Sequence, residues 1–289
     1  MTGEQGLPQP LTSAGSAALA ALLAEPAAAL VALDLDGTLA PIAARPEAVV
    51  PHPGAVPALV ALASRVGRLA VLTGRPAVQA VSVGRLADVP GLVVAGHYGL
   101  ERWADGRLDS PAPHPGVAAV RPRLGEVVAA APAGTTLEDK GHSLAVHTRG
   151  AADPEGTLHA LRPVAEAIAA GAGLEVVPGR LVLELRPPGI DKGAALTALA
   201  TETGDAARAS RSAGAVRSVL YAGDDVGDLP VLDAVTGLRE QGVLGAVVCA
   251  DSTESPAELR ARADLVVDGP DGVVSLLQAL VRALTSAPR

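Results

Sequence analysis

Phenylalanine is absent from this 289-residue chain, and aromatics make up only 1% of it. Its cores must therefore be built from Val, Leu and Ala, a bias that reflects codon composition rather than function. Cysteine is nearly absent too. The single Cys249 excludes an intramolecular disulfide, and its apolar setting, Ala246-Val-Val-Cys-Ala250, reads as a small buried hydrophobe rather than a reactive thiol. Basic runs are missing, and the net charge is −8. Nucleic acid and anionic membrane surfaces, which need clustered Lys and Arg, are disfavoured, whereas a small anionic substrate held by a few local cations is allowed. No segment carries the ~20 uncharged apolar residues that cross a bilayer. The apolar stretch from Ala17 to Leu33 is broken by Glu25 and Pro26, and no Lys or Arg precedes Arg45, so it does not read as a secretory signal. A cytoplasmic location is the expectation. The sequence carries no signal of oligomeric state, and a monomer suffices.

What is present is a globular composition, 49% hydrophobic and 19% charged, long enough for one large domain or two moderate ones. Five short apolar runs read as buried parallel strands: 29–35, 69–72, 92–95, 218–222 and 245–250. Helical stretches such as 53–66 and 193–203 lie between most of them. The alternation predicts an α/β fold, a doubly wound, mainly parallel Rossmann-like core sheet whose ligand sits at the carboxyl ends of the strands. The interval from Trp103 to Pro187 reads differently. It has a Pro-rich entry, strands at 143–148 and 181–186, and helices around 117–130 and 154–170. We read residues 109–187 as an inserted α+β cap domain, with 1–108 and 188–289 forming the core catalytic domain.

Three strands run directly into polar turns. The first is Leu33-Asp34-Leu35-Asp36-Gly37-Thr38-Leu39. Carboxylates two apart on an extended chain point the same way and repel unless a cation neutralises them. The second is Tyr221-Ala-Gly223-Asp224-Asp225-Val226-Gly227-Asp228, whose carboxylates suit a hard cation such as Mg²⁺. Read alone, either is also an ordinary acidic turn. Two such clusters, each at a strand end, reinforce one another. The third turn, Thr73-Gly74-Arg75, offers a hydroxyl and backbone amides to a phosphate oxygen. Asp191-Lys192-Gly193 opens a helical stretch, where a Lys opposes the helix dipole unless an anion pairs with it.

In this order the four segments resemble the haloacid dehalogenase superfamily of phosphotransferases, over most of the chain. The resemblance implies that Asp34 is the nucleophile and Asp36 the general acid/base. It assigns Thr73, Gly74 and Lys192 to the phosphoryl group, and Asp34, the Asp36 carbonyl and Asp224 to Mg²⁺ with Asp225 and Asp228 in support. Asp36 favours a phosphatase or mutase, since the related ion pumps carry Thr there. Only about one helix fits between Asp36 and Thr73, so the insertion occupies the second of the superfamily's two cap positions, unlike that of the sugar phosphomutases.

Finer details resemble the trehalose-6-phosphate phosphatase family: Ala40-Pro41-Ile42, Ala95-Gly96-His97-Tyr98-Gly99-Leu100-Glu101, Lys140-Gly141-His142-Ser143-Leu144-Ala145-Val146-His147 and Glu184-Leu185-Arg186-Pro187. Many relatives continue the last acidic motif as Thr-Asp-Glu-Asp, where this chain has Gly227-Asp228-Leu229-Pro230. The implied substrate is trehalose 6-phosphate, with Arg75, His97, Glu101, Lys140, His142 and Glu184 as substrate-binding residues. Phosphatases of sucrose phosphate, mannosyl phosphoglycerate or hexose phosphates, and an inactive sugar-phosphate-binding module, are the alternatives. His147 also fits a core position, and Glu184 also fits a partner for Arg186.

Overall fold

The computed structural model describes residues 6–43, 48–202, 214–253 and 255–286. In chain order, α1 (Ser13–Ala24) leads to β1 (Ala29–Leu33), followed by α2 (Ala55–Ala63), β2 (Arg68–Leu72), α3 (Ala77–Gly84) and β3 (Leu92–Gly96). Two short strands, β4 (Glu101–Ala104) and β5 (Arg107–Asp109), complete the first half. The insertion holds α4 (Pro115–Ala129), β6 (Thr136–Asp139), β7 (Leu144–His147), α5 (Pro154–Ala170), β8 (Glu175–Gly179) and β9 (Val182–Arg186). The chain returns through α6 (Lys192–Thr201), β10 (Ser218–Gly223), α7 (Leu229–Glu240) and β11 (Leu244–Asp251). It continues through α8 (Ala257–Arg262), β12 (Leu265–Asp268) and α9 (Gly269–Ser286). Contacts divide it into two units, Ser110–Ile190 and the remainder.

The larger unit is one eight-stranded sheet in the order β12-β11-β10-β1-β2-β3-β4-β5. Pairing is parallel from β12 to β3 and antiparallel onto β4 and β5. Strand β1 shows why its run is apolar throughout. Successive side chains point to opposite faces, and each face has its own core. Ala29, Val31 and Leu33 pack in the cluster that includes residues of α1, α2, α3 and α9. Leu30 and Ala32 pack in the cluster that includes residues of α6, α7 and α8. Cys249 belongs to this second core, where burial pushes its thiol up to about 11, an inert value.

Strand β1 lies where the strand order reverses, since β2 continues on one side and β10 returns on the other. Leu33 is in register with both Val71 and Ala222. The turns that follow the three strands therefore leave the sheet at the same carboxyl edge, where doubly wound sheets bind ligands. Strand β1 ends at Leu33 rather than Leu35, because the acidic turn begins at Asp34. Trp103 lies in β4 of this sheet rather than in the insertion. Of the helix expected at 193–203, Thr203 lies outside the described residues.

The insertion is an antiparallel sheet, β6-β7-β9-β8, with α4 and α5. Leu144 and Val146 of β7 and Leu183 and Leu185 of β9 join Val120, Leu124 and Ile168 in its core. By alternation, the opposite face carries Glu138, Ala145, His147, Glu184 and Arg186.

Candidate active site

Past β1 the chain turns over Gly37, whose φ of +83° is left-handed. A Cβ there would lie 2.0 Å from Oδ2 of Asp224, so glycine lets the two acidic turns touch. Thr38 Oγ1 donates to Asp224 Oδ1 at 3.1 Å, and Asp34 N donates to the Ala222 carbonyl at 2.8 Å. Carboxylate oxygens of Asp34, Asp224 and Asp228 lie within 4.8 Å of one another, and all three residues are buried.

Asp228 is the hub of this cluster. Its Oδ1 accepts from Lys192 Nζ at 2.7 Å and from Tyr221 Oη at 2.5 Å. Its Oδ2 accepts from the amides of Asp224 and Asp225, both at 2.9 Å. Both oxygens are thus occupied in fixing the loop after β10. Lys192, the first residue of α6, places Nζ 2.9 Å from Asp34 Oδ1 as well. The anion that a Lys at a helix start calls for is therefore a pair of buried carboxylates.

Burial pushes the Asp34 carboxyl well above the usual carboxylate range. Lys192 opposes this, while Asp228, Asp224 and Asp225 add to it. Burial likewise pushes Asp224 up to about 8, reinforced by Asp228 and Asp225. Burial alone would lower Lys192, but the charges of Asp228 and Asp34 outweigh it and hold the ammonium well above its ordinary value. For Asp228, the Lys192 charge and hydrogen bond and the Tyr221 bond overcome burial and lower its carboxyl. One ammonium does not neutralise this many carboxylates. The buried oxygens of Asp34, Asp224 and Asp228 could hold a metal ion, and such hard donors suit a divalent cation.

Asp36 turns to Arg75. Guanidinium Nε donates to Oδ2 at 2.6 Å and Nη2 to Oδ1 at 2.8 Å, a bidentate pair. Arg75 thus engages the expected acid/base itself. Thr73 is buried, and its Oγ1 accepts from the Arg75 amide at 3.1 Å. Glu101 accepts the amide of Ala77, the first residue of α3, at 2.7 Å, which fixes the start of that helix. His97 is also buried. Its successor Tyr98 lies on Gly74 of the Thr73-Gly74-Arg75 turn, since a Cβ on Gly74 would fall 2.6 Å from Tyr98 Oη.

Within the insertion, Lys140 Nζ lies 3.2 Å from Glu184 Oε1, which also accepts from Ser143 Oγ at 2.6 Å. His142 Nε2 meets Ser110 Oγ at 3.0 Å. His147, on the polar face of β7, pairs with Glu138 at 2.8 Å, so it does not join the apolar core. Arg186 Nε donates to Glu175 Oε1 at 3.3 Å.

Three residues at the larger unit's site were not singled out by sequence reasoning: Thr38, Tyr221 and Tyr98. Thr38 and Tyr221 sit inside the two acidic motifs and bond to their carboxylates. Tyr98 and Tyr221 are the two tyrosines of a chain with almost no aromatics, and that rarity was the available signal.

The chain has the haloacid dehalogenase-like fold, similar to a haloacid dehalogenase-like hydrolase from Bacteroides thetaiotaomicron at TM-score 0.58. Identity there is 18%, covering 86% of this chain and 98% of that one. The C-terminal domain of Candida albicans trehalose-6-phosphate phosphatase is similar at TM-score 0.77 and 18% identity, covering 96% of this chain and 99% of that one. Within this fold the chain belongs to the trehalose-phosphatase family, whose family model matches residues 32–265. A trehalose-phosphate phosphatase of Mycobacterium avium is 36% identical over 222 residues, 74% of this chain and 53% of that protein. The chain thus spans about half the length of this curated relative. No helix among the described residues is long and apolar enough to cross a membrane.

Proposed function

We propose that the chain hydrolyses trehalose 6-phosphate to trehalose and inorganic phosphate, the final step of trehalose biosynthesis, through an aspartyl-phosphate on Asp34. The observation that carries this reading is the convergence of Asp34, Asp224 and Lys192 at one carboxyl edge, with Lys192 Nζ 2.9 Å from Asp34. An ammonium at that position balances an entering phosphate and an attacking carboxylate together.

In the first half-reaction an Asp34 oxygen bonds to phosphorus as the bond to the sugar oxygen breaks. The electron pair leaves on that oxygen, which takes a proton from Asp36. Water then attacks phosphorus and gives its proton to Asp36. The bond to Asp34 breaks, releasing phosphate and restoring the carboxylate. Asp36 first has to exchange an Arg75 contact for the substrate, and the phosphate is an alternative acceptor for that guanidinium. Thr73, the Gly74 amide and Lys192 hold the phosphoryl oxygens. The Asp34 carboxylate, the Asp36 carbonyl and Asp224 would hold Mg²⁺, with Asp225 and Asp228 in support. Bound there, the ion neutralises charge on the phosphoryl group and on the carboxylates.

We assign sugar selectivity to the insertion. The phosphate end is common to every sugar phosphate, so discrimination requires groups that read hydroxyls. Lys140, Glu184 and His142 supply donors and an acceptor on the insertion. Phosphate release from a panel of sugar phosphates tests the function. Strong preference for trehalose 6-phosphate over glucose 6-phosphate is expected. Alanine at Lys140, His142 or Glu184 should lower kcat/KM for the disaccharide by roughly ten- to a hundredfold, the value of a charged hydrogen bond. The slow glucose 6-phosphate reaction should barely change. Comparable wild-type rates on both sugars would leave a general sugar-phosphate phosphatase, and no turnover on any of them would leave a binding module.

A further inference from the structure

Residues His97, Tyr98 and Gly99 all have left-handed backbone, with φ of 46°, 58° and 101°. Two consecutive non-glycine residues in that region are held there only by their surroundings, and such strain collects at functional sites. Here the surroundings are the Thr73-Gly74-Arg75 turn. The His97 amide donates to the Arg75 carbonyl and the Tyr98 amide to the Thr73 carbonyl, each at 2.9 Å. The left-handed turn is therefore stitched to the carbonyls on both sides of Gly74. Gly74 itself does not have the left-handed φ, so its backbone does not demand glycine. A Cβ on Gly74 would instead meet the phenol ring, 2.6 Å from Oη and 2.7 Å from Cζ of Tyr98, so either the ring or the turn would have to shift. The third left-handed residue reaches the other phosphate-side element. A Cβ on Gly99 would lie 2.8 Å from Cβ of Ala195, one turn into the helix that Lys192 opens.

We propose that Tyr98 is a positioning residue for the phosphoryl pocket, clamping the Thr73-Gly74-Arg75 turn against the start of α6. The role deepens the phosphatase reading and rests on it. Two strained residues aim one ring at a glycine whose neighbours hold the phosphate and, through Arg75, the acid/base. Removing the ring frees the turn to drift from the donors it must join. A shift of that size weakens everything that binds through phosphate and leaves the sugar end untouched.

The test uses Tyr98→Asn, since Asn tolerates left-handed backbone and so removes the ring without adding strain. Inorganic phosphate binding, measured by calorimetry with Mg²⁺ present, should weaken by roughly tenfold, a small misplacement's effect. Turnover of trehalose 6-phosphate and of p-nitrophenyl phosphate should fall by one common factor, with a near-unchanged thermal midpoint. Tyr98→Phe, which keeps the ring, should recover most of both. Gly74→Ala should be damaging in the wild type but add little to Tyr98→Asn, because the colliding ring is gone. Unchanged phosphate affinity in Tyr98→Asn would overturn the proposal. So would a Gly74→Ala penalty of the same size in both backgrounds. If wild type hydrolyses no phosphate ester, the phosphatase reading falls. Phosphate binding and the Gly74 coupling, read from thermal unfolding, still decide the role of Tyr98.

Discussion

Asp34 combines burial, a raised carboxyl and an ammonium 2.9 Å away. Burial and the neighbouring carboxylates outweigh Lys192 in raising the carboxyl, and a further cation would act in the opposite direction. Asp34→Asn keeps the volume and removes the charge. It should abolish phosphate release while leaving the metal-free thermal midpoint equal or higher. Retention of roughly a tenth of wild-type turnover would sink the covalent mechanism. A second residue-scale effect belongs to Glu138. The hydrogen bond from His147 holds its carboxyl below the ordinary Glu value, with the Lys140 charge helping against burial. A folded value below the unfolded one means stability that is present above the unfolded value of about 4.3. That stability is lost as pH falls through the folded value. Glu138→Gln should therefore lower the thermal midpoint at about pH 6, and the difference from wild type should close at more acidic pH.

Helix α6 shows how an element meets a local cost through distant partners. A Lys in its first turn opposes the dipole, yet Asp34 from the turn after β1 and Asp228 from the loop after β10 surround it. The N-cap Asp191 accepts the Ala194 amide at 2.8 Å, as a helix start requires. Lys192→Met removes the one ammonium among these buried carboxylates. Breaking a buried pair this way costs about 3–5 kcal/mol, so the variant should melt well below wild type in chelator. Added Mg²⁺ should restore part of the midpoint but not turnover, because binding to the folded state stabilises it by mass action. No recovery with Mg²⁺ would argue against a cation site at these carboxylates.

For the whole molecule, metal removal is the broadest test. Exhaustive chelation should stop hydrolysis, and Mg²⁺ should restore it. Ca²⁺ should serve poorly, since its looser, larger coordination misplaces the attacking carboxylate. Full activity without metal would refute the role given to Asp224. The charge of −8 sharpens the point, because an anionic substrate must reach an acidic site on an acidic chain. Local cations have to supply the attraction, and among the described residues Lys192 and Arg75 lie beside Asp34 and Asp36.

The sequence by itself determined the five central strands β11, β10, β1, β2 and β3 and the placement of their acidic turns. Strands covered on both faces must be apolar at every position, so 29–33 and 245–250 were legible without knowing their partners. Strands β4, β5, β6 and β8 were not, because three to five residues of mixed polarity become strands only when a neighbour pairs with them. The chemistry divides the same way. A carboxylate's presence at a strand end follows from local order along the chain. Its partner does not, since Arg75 reaches Asp36 across 39 positions and Lys192 reaches Asp228 across 36. Only the tertiary structure turned Glu101 to a helix amide, buried His97 and laid Tyr98 on Gly74. The last two outcomes involve left-handed backbone at His97 and Tyr98, residues that seldom adopt it. Contacts from elsewhere in the fold, not the residues' own preferences, hold them there.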